Sequence, residues 1–203
     1  EQVNIFGNDI TQENVIRDAL EVDEGDPFNE LLHAKSVNNL KAKGIFRTVQ
    51  SDVLDGSDLN KKIINISVVE KPTGEVMLGA GVGSDGGTIG FSISENNFMG
   101  RGVKLSAELR VSEDKIKGNF TTYNPNYNYS GKALSTNIQS TVTDKMANSG
   151  YDSTKTGFSF GTSVEQYEDL FFRPSFSTYY ERLTTNDSAS TNLKIQEGSY
   201  FDT

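Results

Sequence analysis

"EVMLGAGVGSDGGTIGFSISENNFMGRGVKLSAEL", residues 75–109, decides how this chain folds. Its apolar residues recur every second position: Val76, Leu78, Ala80 and Val82 share one face, and Met77, Gly79, Gly81 and Gly83 share the other. Ile89, Phe91 and Ile93 then oppose Thr88, Gly90, Ser92 and Ser94, and Val103, Leu105, Ala107 and Leu109 oppose Lys104, Ser106 and Glu108. Period two over whole segments is the mark of two-faced strands. Inside the stretch, "GVGSDG" (81–86) matches the dinucleotide pattern G-x-G-x-x-G. That chemistry needs the glycine turn to open a helix whose N-terminus faces a pyrophosphate, and here β alternation resumes at once. Glu108 stands near the spacing of a ribose-binding acid but lies on the polar face of another strand. Ser84-Asp85-Gly86-Gly87 reads instead as a hairpin turn, with Asp-Gly supplying positive φ.

Downstream, the alternation continues through "IKGNFTTYN", "KALSTNIQSTVT", "TKTGFSFGTSVEQ" and "LFFRPSFSTYYERL", which makes seven strands, and "STNLKIQEGSYF" begins an eighth. Pro174 lies inside the seventh and implies a bulge or a gap in the ladder. These strands reach the roughly 9 to 11 residues that cross an apolar layer at a steep tilt. Two architectures share this pattern. A soluble barrel or sandwich turns its apolar face inward, whereas an outer-membrane barrel turns it to lipid and its polar face to a wet lumen. Lys104, Glu108 and Arg110 among many Gly and Ser, and tyrosines near strand ends (Tyr123, Tyr127, Tyr129, Tyr179, Tyr180) placed as an interfacial girdle, lean toward the membrane.

Upstream, residues 1–72 read as an α+β unit of order β-α-α-β-β, followed over 73–203 by the antiparallel strands. "QVNIFG" is a strand, and Thr11 is placed to cap a helix over "QENVIRDALEV" with Val15, Ile16, Ala19 and Leu20 on one face. "EGDP" breaks it. A second helix fits "FNELLHAKSVNNLKAK", with Leu31, Leu32, Ser36 and Leu40 inward and Gly44 just past its end. "FRTVQSDVL", the turn "DGSDLN" and "KKIINISVVEK" follow at hairpin spacing. Pro72 and Gly74 mark a hinge.

Composition narrows the chemistry. A formal charge of −9 in 203 residues, with acids and bases interspersed, argues against nucleic-acid binding. No cysteine is present, so disulfides and thiolate metal sites are out. No run approaches the roughly 20 apolar residues of a spanning helix, so only strands could carry the chain through a membrane. No signal peptide is expected at "EQVNIFGN", which reads as an artificial or cleavage boundary. His33, the lone histidine, has no cysteine or acid pair to make it a metal ligand or base, and a surface role is expected. The acids of "EVDEGDP" lack the order of a Ca²⁺ loop. No nucleophile constellation appears, and neither enzyme activity nor a cofactor or metal is expected. Sequons at Asn65, Asn119, Asn128 and Asn186 are chance matches in an Asn-rich chain.

"VNIFGN", "EGDPFN", "LKAKGIFRTV", "VVEKPTGEVMLGAGVGSDGG" and "ENNFMGRGVKLSAEL", in this order and spacing, resemble the BamA-type outer-membrane assembly family. They look like its last polypeptide-transport-associated (POTRA) domain running into the first barrel strands, and "YNPNYNYSGKALS" is similar to its Pro-aromatic turn. The resemblance implies a periplasmic POTRA domain and a sixteen-stranded barrel of a Gram-negative outer membrane. Only seven or eight strands are here, so the chain reads as a fragment whose partner strands are elsewhere or simply absent. It also implies insertion of nascent outer-membrane β-barrel proteins by strand augmentation, with the lipid bilayer and accessory assembly lipoproteins as further partners. The strands implied to pair with clients are the first barrel strand (Val76, Met77, Leu78, Gly79, Ala80, Gly81, Val82, Gly83) and a POTRA edge (Phe46, Arg47, Thr48, Val49, Gln50, Ser51, Asp52, Val53). Gly79, Gly81 and Gly83 either make the first strand pliable or make room in a crowded lumen. A translocation or secretion pore of the same superfamily and a soluble ligand-binding β-module are the alternatives.

Overall fold

The computed structural model describes residues 2–58, 61–83, 86–167 and 170–203. It divides the chain into two compact units, residues 1–74 with 95–103, and residues 75–94 with 104–203.

The first unit contains β1 (Gln2–Phe6), α1 (Glu13–Arg17), α2 (Glu30–Ala42), β2 (Phe46–Asp55) and β3 (Lys62–Glu70), in the expected β-α-α-β-β order. The sheet runs β1-β3-β2, with β1 parallel and β2 antiparallel to the central strand. Alternation sets Ile64, Ile66 and Val68 of β3 on the covered face, beside Val3 of β1 and Val49 of β2. The helical segments lay Val15, Ile16, Ala19 and Leu40 onto them. Ile16, Leu40 and Ile66 are essentially fully buried, and each contributes about 1.5–3 kcal/mol of transfer free energy. The opposite face of the sheet is polar, with Asn4 Nδ2 donating to Asn65 Oδ1 at 2.9 Å.

Several local expectations need correction. Thr11 does not cap α1: Gln12 occupies the N-cap and makes no side-chain cap, while Thr11 is buried. Its amide and hydroxyl are held by Glu70 and Asn97, which leaves the hydroxyl no part in capping. The helix itself stops at Arg17, because Asp18 to Leu20 turn out of it through short-range bonds such as Ala19 N to Ile16 O. The second helix starts at Glu30 rather than Phe28, with Asn29 capping it by accepting from the amides of Leu31 and Leu32. Leu31 is 81% exposed rather than inward, and Leu32 is only part-covered, since a helix starting at Glu30 points its first turn away from the sheet. Ser36 and Leu40 are inward, and Gly44 has φ +70° after α2.

The residues 95–103 complete this unit. Asn97 is buried; its Nδ2 donates to Thr11 Oγ1 at 2.9 Å, its Oδ1 accepts from Gly102 N at 2.7 Å, and Gln12 N donates to Gly100 O at 2.8 Å. Gly100 has φ +70°, and a Cβ there would stand 2.0 Å from Ile10 O, so this turn requires glycine.

In the second unit β4 (Gly74–Gly83), β5 (Gly86–Phe98), β6 (Val103–Ser112), β7 (Lys115–Asn124), β8 (Lys132–Lys145), β9 (Tyr151–Tyr167), β10 (Leu170–Phe172), β11 (Ser175–Thr185) and β12 (Gly198–Asp202) form one nine-stranded sheet. Its order is β12-β11-β9-β8-β7-β6-β5-β4, with β10 also on β9. Short helices α3 (Met146–Ser149) and α4 (Thr191–Ile195) interrupt the strands. Pro174 opens the gap expected of it, dividing the seventh segment into β10 and β11. The eighth segment is only half strand: its first part coils into α4, where Ser190 accepts from Leu193 N, and only Gly198–Asp202 pairs. Ser84 and Asp85 of the expected hairpin turn lie outside the described residues; Gly86 has φ +80°.

The register makes the two faces continuous. Phe120, Ile138 and Phe158 align across β7, β8 and β9, as do Thr136, Phe160 and Phe176 across β8, β9 and β11. On the other face, Glu108, Asn119, Gln139, Gly157 and Tyr179 align. The apolar face is the uncovered one: Ile89, Phe91, Ile93, Ile116, Phe120, Ile138, Phe158 and Phe176 are all exposed. A soluble barrel would hide these residues, whereas lipid would cover them from outside. Two of the tyrosines expected in an outward girdle do not face outward. Tyr123 and Tyr179 fall on the polar face, where Tyr179 covers Gly157, because an odd-even shift along a strand changes the face.

Candidate strand-pairing edges

An edge strand offers a row of backbone N–H and C=O groups to any extended chain that reaches it. The described residues present such edges at both ends of each sheet, and the two stretches singled out in the sequence are both edge strands.

In the second unit β4 is terminal and pairs only with β5. Val76, Met77, Leu78, Gly79, Ala80, Gly81, Val82 and Gly83 are exposed throughout, Val82 to 92%. A Cβ built at Gly79, Gly81 or Gly83 meets nothing within 4 Å. Among the described residues these three positions are sterically open, in an extended strand that glycine makes easy to bend. Beside them a cleft of about 460 Å³ is lined by Met77, Gly79, Gly81 and Gly90 together with Glu108 and Arg110, whose Nε donates to Glu108 Oε1 at 2.5 Å. The wall of the sheet next to β4 is thus smooth, with one ion pair set into it.

In the first unit the expected edge, Phe46 to Val53, is β2, the terminal strand beside β3. Phe46 and Val49 are buried in the core and anchor it; Arg47, Thr48, Gln50, Asp52 and Val53 are exposed, and Ser51 is half-buried. The register shifts between Phe46 and Thr48, so Arg47 is an extra residue that bends the start of the strand. Among the described residues, nothing hydrogen-bonds to the outward groups of β2 between Arg47 and Leu54.

The opposite edge, β1, differs in a way that sequence reasoning missed. Val3 N donates to Glu24 Oε1 at 3.2 Å, and Val3 O accepts from Arg17 Nη2 at 3.3 Å. Arg17 Nη1 and Glu24 Oε1 stand 3.4 Å apart, and Glu13 holds Arg17 Nε at 2.7 Å. The i,i+4 spacing of Glu13 and Arg17 was the only signal of this arrangement.

Burial pushes the Glu70 carboxyl up, but hydrogen bonds from the Thr11 hydroxyl and from the amides of Thr11, Ile10 and Asp9 outweigh it, leaving the group below its ordinary range. Burial lowers the half-buried His33, whose ring lies 5.8 Å from that of Phe28. Among the described residues no cluster of three or more His, Asp or Glu side chains could hold a metal ion.

Comparisons with known proteins agree with this geometry. Residues 1–71 match the POTRA family, described as surface antigen variable number repeat. The chain is 28% identical over 193 residues to outer membrane protein assembly factor BamA of Neisseria meningitidis, covering 91% of this chain and 24% of that protein. It is 36% identical over 112 residues to BamA of Neorickettsia risticii, covering 54% and 15%. The chain therefore spans about a quarter or less of these relatives' length. Among solved structures, BamA from Haemophilus ducreyi lacking POTRA domains 1–3 superposes with a TM-score of 0.80 at 20% identity, over 100% of this chain and 42% of that one. CdiB from Escherichia coli superposes with a TM-score of 0.59 at 12% identity, over 99% and 38%.

Proposed function

We propose that the chain is a BamA-type segment, a POTRA domain followed by the opening strands of an outer-membrane barrel, and that it serves the insertion of β-barrel proteins by lending them sheet edges. The observation that carries this reading is the position of β4: a terminal strand, exposed along its length, rich in glycine, at the end of a sheet whose uncovered face is apolar. An incoming strand pairs with such an edge through its backbone, so clients of unrelated sequence are accepted alike. The three glycines keep the edge easy to bend and to release, as a gate strand bordering a seam in the barrel must be.

In this reading the POTRA domain stands in the periplasm, and β2 receives clients in extended form before they reach β4. Accessory lipoproteins dock on the same domain. The relatives named as assembly factors favour insertion over a translocation pore. The exposed apolar face opposes a soluble ligand-binding module.

The test is Gly81→Val, made in a BamA carrying this segment in place of its own matching residues and reconstituted in liposomes. A β-branched residue strengthens the strand and stiffens the edge. Client insertion should fall several-fold while the protein folds normally; unchanged insertion would remove the gate role from β4.

A further inference from the structure

The two edges of the POTRA sheet are chemically unequal. In β1 the residues whose N–H and C=O point away from β3 are Val3 and, two on, Ile5; both groups of Val3 are taken, by Glu24 and Arg17. A strand of five residues has few outward positions, since alternate residues turn their groups to the neighbouring strand. Occupying Val3 leaves Ile5 alone in β1, too short a run of outward groups for a ladder. The loop from Val22 to Phe28 also stands beside this edge, sharing a cavity of about 440 Å³ with Gln2, Val3 and Ile64, so an added strand would displace the loop as well. β2, by contrast, has ten residues, and among the described residues its outer groups between Arg47 and Leu54 have no such partners.

We propose that Arg17 and Glu24 close the β1 edge against strand addition, so that this domain takes up an extended segment of an unfolded barrel protein at β2 alone, in one orientation of the sheet. The proposal rests on the strand-addition reading above and adds its direction. Side chains that cover an edge are a known means of preventing unwanted pairing. Stability is a poor explanation for the pair: both side chains are more than a third exposed, where ion pairs contribute little. Their targets, the two outward groups of one edge residue, are what a guard must occupy. Glu13, one turn before Arg17 in α1, holds the guanidinium in place.

The absence of cysteine makes the test clean. Single thiols are placed in the full chain by Gln2→Cys on β1 or Gln50→Cys on β2, and each protein, folded in detergent, is offered a peptide of the sequence of residues 103–112 carrying Ala107→Cys. Disulfide trapping reads which edge the peptide occupies. With Arg17 and Glu24 present, trapping is expected at position 50 and about tenfold less at position 2. With Arg17→Met and Glu24→Met, which remove both side-chain partners of Val3, trapping at position 2 should rise about tenfold, the factor that one to two net hydrogen bonds produce, and position 50 should not change. Equal trapping at both edges with the pair intact overturns the guard. So does silence at position 2 in the double variant while the Ile66 amide stays protected from exchange and position 50 still traps. Silence at both positions in every protein overturns the strand-addition reading, and the guard with it. Should the double variant fail to fold, Glu24→Ala, which frees the Val3 N–H alone, takes its place under the same criteria.

Discussion

The two units use one sequence device to opposite ends. In β3, alternation buries Ile64, Ile66 and Val68, each less than 7% exposed; in β5, the same alternation leaves Ile89, Phe91 and Ile93 between 45% and 60% exposed. The difference lies in what covers the apolar face. Val15, Ile16, Ala19 and Leu40 lie on the sheet of the first unit, whereas among the described residues the second sheet leaves its apolar face bare. Alternation thus specifies a two-faced strand, and the surroundings decide which face is hidden.

The sharpest way to break this comparison is to truncate one residue from each sheet. Ile66→Ala removes a fully buried side chain, and denaturant unfolding followed by circular dichroism should show a loss of about 2–5 kcal/mol. Phe91→Ala, on the uncovered face, should cost the detergent-folded protein less than about 1 kcal/mol. Equal losses would mean that the second sheet has a hidden core of its own.

Glycine offers the same contrast. Gly100→Ala puts a Cβ against Ile10 O at positive φ and should destabilise the first unit by about 2–3 kcal/mol, while Gly81→Ala, in open extended backbone, should change unfolding by less than about 0.5 kcal/mol. A tolerated Gly100→Ala would show that the 95–103 turn does not depend on its close approach to Ile10.

Glu70 ties that same region to pH. Its folded carboxyl titrates below the ordinary range, so the stability it lends is present at neutral pH, above the unfolded value, and is lost as pH falls through the folded value. The unfolding midpoint of the first unit should drop on acidification through and below the usual carboxylate range. In Glu70→Gln the neutral midpoint should be lower and the acid dependence flatter; parallel pH curves for the two proteins would assign the acid sensitivity to other groups. At the small end, His33→Ala loses only a tilted contact with Phe28 and should shift stability by less than about 0.5 kcal/mol, leaving client insertion intact.

Much of this fold was legible in the residues, and the gaps have physical causes. Ile64, Ile66 and Val68, or Phe158 and Phe160, announce strands because a pleat has period two, and Pro174 announces a break because it lacks a donor. Thr11 misled because a hydroxyl before a helical pattern suits a cap equally well as a tertiary bond, and its partner Asn97 lies 86 positions away. Tyr123 and Tyr179 misled because nearness to a strand end says nothing of face. The two candidate edges were legible from position in the strand order, but the closure of β1 was not, since Glu24 lies 21 residues from the Val3 N–H that it accepts.

The central claim, that β4 is the edge at which a client strand is added, is tested most directly by disulfide trapping in a BamA carrying this segment. Leu78→Cys on β4 and Asn119→Cys on the interior strand β7 are each paired with a client bearing one cysteine in a terminal strand, during insertion into liposomes. Trapping at residue 78, transient and lost once the client is folded, with none at residue 119, is the predicted result. No trapping at 78, or equal trapping at both, would contradict the account.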